Sequence, residues 1–258
     1  MPVLSPLAAP RYAAVDMLRG LAMVWMTLFH FSFDLQHFGY LHANLYGDPF
    51  WTVQRAAIVT LFVFCAGLGQ AIAVQQGQSW ARFWKRWRQI AGCALLVSLG
   101  SWFMFPDSFI YFGILHGMAL MLIVVRLASG AGRWLWLLGA VALALPWAAL
   151  QMHAAWPAAE LLNGRALNWL GLISRKPITE DYAPLFPWVG VMCFGLAAGQ
   201  WVLQHHAPAL ERVGAVFSQS VLGAPLRGLA WLGCWSLSYY MLHQPVLIGV
   251  FSLLALLR

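Results

Sequence analysis

Charged residues are scarce in this chain of 258 residues. Only 9% are Asp, Glu, Lys or Arg, whereas 62% are hydrophobic, and the mean hydropathy is +0.71. Soluble domains carry about 25% charged residues, so too little polar surface exists here to cover a water-soluble globule. The shortage of charge therefore excludes a soluble protein and predicts an integral membrane protein.

Cysteine is also sparse, and its placement points to neither a disulfide framework nor a metal site. The four cysteines fall within apolar segments, without the spacing of metal ligands: Cys65, Cys93, Cys193 and Cys234. We expect buried packing residues and no bound metal. The net charge of +7 does not indicate a nucleic-acid partner, because the basic residues are distributed by topology.

Hydrophobic segments long enough to cross a membrane, which needs roughly 20 mostly apolar residues, recur along the chain. They lie at about 13–36, 52–75, 88–105, 109–127, 134–152, 184–204 and 228–256. They predict an all-α helical bundle of about seven transmembrane helices, forming one domain over residues 1–258. The last segment is overlong and contains Pro245, so it is either kinked or split. Gly195 and Gly199 have the spacing of close helix packing.

The basic residues predict the orientation of this bundle. With the N-terminus inside, ten of the fifteen Lys and Arg lie at inner ends or loops: Arg11, Arg19, Arg82, Lys85, Arg86, Arg88, Arg126, Arg133, Arg212 and Arg227. This agrees with the positive-inside bias. The long connection 153–183 then lies outside, and its amphipathic part is expected on the outer membrane face.

The first hydrophobic segment carries polar residues on one side. At about 100° per residue, Asp16, Arg19, His30 and Asp34 share one stripe, with Arg19 and His30 roughly 16 Å apart along the axis. Lipid cannot solvate such a stripe, so it must face the bundle interior or a wet cavity. Arg19 then lies toward the inner face, and His30 and Asp34 lie toward the outer face.

His30 and Asp34 are spaced one helical turn apart, so their side chains can meet. A carboxylate beside an imidazole fixes its tautomer and stabilises the imidazolium, which suits a general base. The alternative is a polar pair that only locks helix packing. Titratable groups within a membrane usually serve function, so we favour the catalytic interpretation.

The stretch "RYAAVDMLRGLAMVWMTLFHFSFDL" resembles the opening helix of the heparan-α-glucosaminide N-acetyltransferase catalytic-domain family, in its small bacterial form. The spacing of Arg19 and His30 is also similar to that of the wider transmembrane acyltransferase group. The likeness continues, in order, in "LFVFCAGL", "FGILHGMAL", "DYAPLFPWVGVMCFG" and "LSYYMLHQPVL". It therefore covers nearly the whole chain.

The resemblance implies a multi-pass enzyme of a bacterial cytoplasmic membrane. It implies transfer of an acyl group, typically acetyl, from cytoplasmic acyl-CoA to an amino sugar or sugar hydroxyl of an outer glycan or glycolipid. In the lysosomal relatives Asn stands at the position of His30, and the active His lies in the following outer loop. That loop here contains His37 and His42, so the base is His30 or a loop His. We prefer His30 because of Asp34.

Further candidates come from the other segments. His116 and His243 lie toward the outside, where either, or a tyrosine, could stabilise an oxyanion; each could equally be a structural hydrogen-bonding group. Asp181 and Trp188 at the outer mouth are candidate substrate-binding residues, as are His37 and His42. Arg19 is the candidate for the phosphates of acetyl-CoA, although Asp16 could simply pair with it.

The sequence leaves two other functions open. A small proton-coupled transporter would use the intramembrane His and Asp residues as a relay, and a non-catalytic scaffold would keep only the fold. Membrane lipid is an expected partner in every case, and the assembly is left open between a monomer and a homodimer.

Overall fold

The computed structural model describes residues 12–208 and 223–257. Their helices are α1 (Ala13–His37), α2 (Pro49–Gln75), α3 (Trp80–Met104), α4 (Ile114–Leu127), α5 (Trp134–Ala155), α6 (Leu185–His205), α7 (Gly223–Cys234) and α8 (Ser236–Leu256). Short 3-10 turns occur at Ala128–Ala131, Pro157–Asn163 and Asn168–Leu170. The described part contains no strand beyond one isolated bridge, between Phe112 and Tyr182. The all-α prediction is confirmed.

Five helices are long and apolar enough to cross a membrane: α2, α4 with its following turn, α5, α6 and α8. The predicted count of seven also needs α1 and α3, which are 25 residues each but carry several charges. Their crossing, and the inner position of the N-terminus, stay predictions. Of the inner basic residues, Arg11 and Arg212 lie outside the described residues.

Two helices begin away from the predicted positions because their first turns are capped. Helix α3 begins eight residues before the predicted segment, and Ser79 Oγ accepts a hydrogen bond from Arg82 N at 3.4 Å. Helix α4 begins at Ile114, five residues later than predicted, where Asp181 caps its first turn. Capping side chains satisfy the backbone N–H groups that a helix start leaves unpaired.

Small residues bring α2 and α6 into close contact. Gly67 on α2 faces the Met192 carbonyl, and Gly195 on α6 faces the Phe64 carbonyl, so a Cβ at either glycine would collide with backbone. Gly199 packs against the Ala71 methyl in the same interface. The predicted close packing at the Gly-x-x-x-Gly spacing is confirmed.

The last hydrophobic segment is split at Trp235, ten residues before Pro245. Helix α7 packs tightly on α1, since Gly20 touches the Leu229 carbonyl and Gly233 touches the Asp16 carbonyl. Helix α8 then runs parallel to α1, so that Thr27 contacts Tyr239 and His30 contacts His243. This arrangement positions the candidate site.

The connection 153–183 is fastened to the segment between α3 and α4. Glu180 N donates to the Ser108 carbonyl at 2.9 Å, and Ala183 N donates to the Phe112 carbonyl at 3.2 Å. The Glu180 carboxylate also accepts from the hydroxyls of Ser108, at 2.5 Å, and Tyr46, at 2.9 Å. The part expected to be an amphipathic segment forms 3-10 turns here, and its side of the membrane stays a prediction.

The four cysteines are free thiols, as predicted. Cys65 and Cys193 are buried and Cys93 is half-buried. Cys234 is exposed, so the prediction of burial is wrong for this residue: it ends α7, and its Sγ lies 3.7 Å from Asp16 Oδ2.

Candidate active site

Two histidines from opposite ends of the chain meet between α1 and α8. His30 Nδ1 lies 2.6 Å from His243 Nε2. The two rings are within 12° of parallel, and their centroids are 4.9 Å apart. His243 is buried, with 7% of its surface exposed, and His30 is half-buried. The pair is therefore an ordered, largely desolvated hydrogen bond.

The hydrogen-bond partners fix the tautomer of each ring in the neutral pair. His243 Nδ1 lies 2.7 Å from the Tyr240 carbonyl oxygen, which can only accept, so Nδ1 of His243 carries the proton. Its Nε2 is then the acceptor, and the proton between the rings belongs to His30 Nδ1. His30 Nε2 consequently keeps a free lone pair, as a general base requires.

A second contact between α1 and α8 lies about one turn before this pair on each helix and supports it. Thr27 Oγ1 donates to the Met23 carbonyl at 2.8 Å, so the Tyr239 hydroxyl must be the donor in its 2.7 Å contact with Thr27 Oγ1. The Tyr239 ring lies parallel to the His243 ring, within 9°, at 5.8 Å between centroids. Tyr239 thus packs against one side of His243 and limits its rotation.

Asp34 does not have the partner that its spacing predicted. Its Oδ1 accepts a hydrogen bond from Gln244 Nε2 at 2.7 Å, and it is buried, with 1% of its surface exposed. Among the described residues no hydrogen bond joins Asp34 to His30. One-turn spacing puts both residues on one face of α1, but that face meets α8, whose adjacent His243 and Gln244 bind them separately.

His116 is held in the start of α4. Its Nδ1 accepts from Gly113 N at 3.3 Å, so its Nε2 is the donor in the 3.1 Å contact with Ser98 Oγ. The Ser98 hydroxyl in turn donates to the Ile110 carbonyl at 2.6 Å. Both ring nitrogens are occupied within the chain, which matches the structural alternative for this histidine.

Asp181 also lies at the start of α4. Its Oδ2 accepts from Ile114 N at 2.7 Å. Burial raises the pKa of the Asp181 carboxyl above its ordinary value, while this hydrogen bond and the cations Arg55 and Lys176 oppose the increase. Trp188, the other candidate in this segment, is half-buried against the hydrophobic core in the first turn of α6.

His37 and His42 are exposed and separate from the His30–His243 pair. The prediction that His37 lies in the outer loop is wrong, because α1 continues to His37, and only His42 lies in the following loop. His37 contacts Phe38 and Phe105 ring edges, with centroids 5.1 and 5.9 Å away. His42 lines an open groove of about 540 Å³ at the C-terminal end of α1, with Gln36, Leu41, Ala43 and Asn44. This groove is a candidate place for part of a substrate.

Arg19 lies toward the other end of α1. Its Nη1 forms an ion pair with Asp16 Oδ1 at 3.1 Å, as the spacing of the two residues allowed. Its Nη2 lies over Gly69 of α2. Arg86 of α3 is within electrostatic range of Arg19 and donates to Gln89 Oε1 at 3.0 Å. Two guanidinium groups at this end are thus within electrostatic range of each other, and Arg19 is paired with Asp16.

Sequence reasoning missed three residues of this site, namely Tyr239, Tyr240 and Gln244. All belong to the segment "LSYYMLHQPVL", in which the sequence indicates His243 alone as a candidate site residue. One signal was available, because Tyr239 lies one turn before His243 on the same face. The cross-helix partners themselves could not be read from spacing within one helix.

No group of three His, Cys, Asp or Glu in the described residues could hold a metal ion.

The geometry leaves a buried histidine pair with one free basic nitrogen in a helical membrane protein. Over residues 11–245, the chain matches the family described as heparan-alpha-glucosaminide N-acetyltransferase, catalytic. The chain belongs to this family. As a member, it is a membrane acetyltransferase by class, and the matched region includes both His30 and His243. Searches among curated proteins and among solved structures gave no match.

Proposed function

We propose that this member of the family transfers an acetyl group from cytoplasmic acetyl-CoA to the amine of an amino sugar, or to a sugar hydroxyl, on the outer side of a bacterial cytoplasmic membrane. The observation that carries the proposal is the chain of hydrogen bonds from the Tyr240 carbonyl through His243 to His30. This chain leaves His30 Nε2 as an unprotonated nitrogen that makes no hydrogen bond within the described residues.

In this mechanism His30 is the base and His243 is its positioning residue. His30 Nε2 takes a proton from the acceptor, and the resulting imidazolium faces the lone pair of His243 Nε2. The His243 ring is itself oriented by the Tyr240 carbonyl, in the manner that a carboxylate orients the histidine of a catalytic triad. Such positioned proton transfer typically contributes about 10²–10⁴-fold to a rate.

The atoms of the reaction balance without a protein nucleophile. An ammonium acceptor first gives one proton to His30, and its nitrogen then bonds to the thioester carbonyl carbon. The carbon–sulfur bond breaks, the thiolate of CoA leaves, and the second proton lost by the nitrogen converts that thiolate to a thiol. An amide, free CoA and one proton result. Acetyl-CoA supplies the activated acetyl group.

Tyr240 is our candidate for stabilising the oxyanion. The N–H and O–H donors of His116, His243 and Tyr239 are occupied by partners within the chain. The Tyr240 hydroxyl has no hydrogen-bond partner among the described residues, and its ring centroid lies 5.8 Å from that of His243. A free donor on a residue that contacts His243 suits the developing negative charge of the carbonyl oxygen.

Arg19 and Arg86 are our candidates for the phosphate groups of acetyl-CoA. Guanidinium groups bind phosphate oxygens through charge-assisted hydrogen bonds. The two lie on α1 and α3 within electrostatic range of each other, so a bound anion would reduce their repulsion. Their end of α1 is the predicted inner side, which is the side of the cytoplasmic acyl donor.

Two measurements on detergent-purified protein test the proposal. Equilibrium binding should detect acetyl-CoA at micromolar concentration, and radiolabelled acetyl groups should move from CoA to an amino-sugar acceptor. Folded protein that does neither would overturn the proposal. If the same protein instead moves protons across liposome membranes, the His30–His243 hydrogen bond belongs to a relay rather than to an acetyltransferase.

A further inference from the structure

The hydrogen-bonded pair next to the histidines contains two acceptor atoms without donors. Asp34 Oδ1 accepts from Gln244 Nε2, but Asp34 Oδ2 and Gln244 Oε1 are buried and have no hydrogen-bond partner among the described residues. Buried polar atoms are almost always paired, and an unpaired carboxylate oxygen is particularly unfavourable. The pair is therefore incomplete until donors reach it.

These atoms neighbour the proposed base on both helices. Asp34 is one turn beyond His30 on α1, and Gln244 directly follows His243 on α8. Three acceptor atoms therefore belong to the residues of these two adjoining hydrogen bonds: the lone pair of His30 Nε2, Asp34 Oδ2 and Gln244 Oε1. The ligand that fits has several donors on one atom and a positive charge to match the carboxylate.

We propose that Asp34 and Gln244 recognise the ammonium group of the acceptor and are the residues that select an amine over a hydroxyl. The inference rests on the proposed function, since it concerns the same site. An ammonium group offers three N–H donors, one for each acceptor, and the donor facing His30 is the proton that the base removes. A hydroxyl offers one donor and leaves two acceptors unpaired.

A purely structural role for the pair predicts different behaviour. If Asp34 and Gln244 only join α8 to α1, their loss should lower stability and turnover equally for every acceptor. If they bind the ammonium group, their loss should remove the preference between an amine and a hydroxyl. Sites with buried polar groups reject analogues that leave those groups unpaired, so this preference is the quantity to measure.

The test uses radiolabelled glucosamine and glucose as probes, with detergent-purified full-length protein and no acyl donor. We expect wild-type protein to bind glucosamine at least tenfold more tightly than glucose. Asp34→Asn keeps the shape of the side chain but removes the charge, and Gln244→Met removes the amide oxygen; each should lose most of this preference. Ser32→Ala is the matched control, because the exposed Ser32 hydroxyl bonds only to the Leu28 carbonyl of its own helix.

The pH dependence gives a second readout that needs no variant. Glucosamine affinity of the wild type should fall as the pH rises above the pKa of the sugar amine, because the ammonium form disappears. Equal binding of the two sugars by wild-type protein would overturn the inference, as would an Asp34→Asn or Gln244→Met protein that keeps the preference. Wild-type protein that prefers glucosamine but neither binds acetyl-CoA nor transfers acetyl groups would instead contradict the proposed function.

Discussion

The guanidinium group of Arg19 lies over Gly69 of α2, where an added Cβ would stand 2.5 Å from Arg19 Nη2. The ion pair with Asp16 fixes the other side of the guanidinium group. Because Gly69 has no side chain, helix α2 leaves room at this position for the guanidinium group of Arg19. This relationship makes the inner end of the proposed acetyl-CoA path testable from two residues.

Arg19→Ala should weaken acetyl-CoA binding by about 1.5–3 kcal/mol, the usual loss for a hydrogen bond to a charged group. Gly69→Val should weaken binding in the same direction by displacing the guanidinium group. Gly92→Val is a matched control, because a Cβ at Gly92 meets open space. Isothermal titration with acetyl-CoA measures the effect, and normal binding by Arg19→Ala would return Arg19 to a structural role with Asp16.

Removing His30 should abolish acetyl transfer while acetyl-CoA binding survives, because the base acts on the acceptor. His37→Ala and His42→Ala are measured beside it, because these two histidines are the rival candidates for the base. The assay follows labelled acetyl groups into an amino sugar, with folding checked by size-exclusion chromatography. If His30→Ala keeps wild-type turnover while a loop variant loses it, the base is in the outer loop.

His243→Ala should reduce kcat by about 10²–10⁴-fold and leave KM for the acceptor nearly unchanged, because His30 loses the acceptor that fixes its tautomer. His243→Gln should recover part of the rate, since the amide oxygen can accept the His30 Nδ1 proton. The His30 and His243 double variant should be scarcely worse than His30→Ala, because residues acting as a unit are non-additive. Additive losses would mean that the two act independently.

Asp181→Ala should lower the free energy of unfolding by about 0.5–2 kcal/mol through loss of the α4 cap, whereas Asp181→Asn keeps an acceptor and should change it little.

Because the pKa of Asp181 is raised in the folded state, the folded protein binds this proton up to a higher pH than the unfolded chain does. Wild-type stability relative to Asp181→Asn should therefore improve as the pH falls through the raised pKa. Thermal unfolding at several pH values checks the sign, and the opposite trend would contradict it.

Cysteine labelling tests the orientation of the chain. A cysteine at Lys85 should react only from the cytoplasm, and one at Arg175, in the connection 153–183, only from outside. Labelling of both from one side would exclude the seven-helix arrangement with the N-terminus inside.

The helices could be predicted from the sequence because each consists of a long apolar segment. Two helix starts were less accurate: α3 begins early, after the local cap Ser79, and α4 begins late, where a distant side chain sets its start. Asp181 fixes the start of α4 from 67 residues away, and no local pattern contains that information. Likewise, the break at Trp235 was attributed to Pro245, the familiar helix breaker, although the helix continues through the proline.

The candidate site was half predictable for the same reason. Spacing within α1 correctly grouped Arg19, His30 and Asp34 on one face, and the pairing of Asp16 with Arg19 followed from it. Which residue each one bonds depends on the register of α8 against α1, and that register is set by packing between helices. His243 was therefore a candidate without a partner, and Gln244 gave no signal.

The hydrogen bond between His30 and His243 joins residues 213 positions apart, on α1 and α8. A ribosome has therefore synthesised most of the protein before the second histidine exists. Until then, the His30 imidazole and the Asp34 carboxylate lack the partners that α8 provides. The proposed active site therefore forms only after α8 has been synthesised and has packed beside α1.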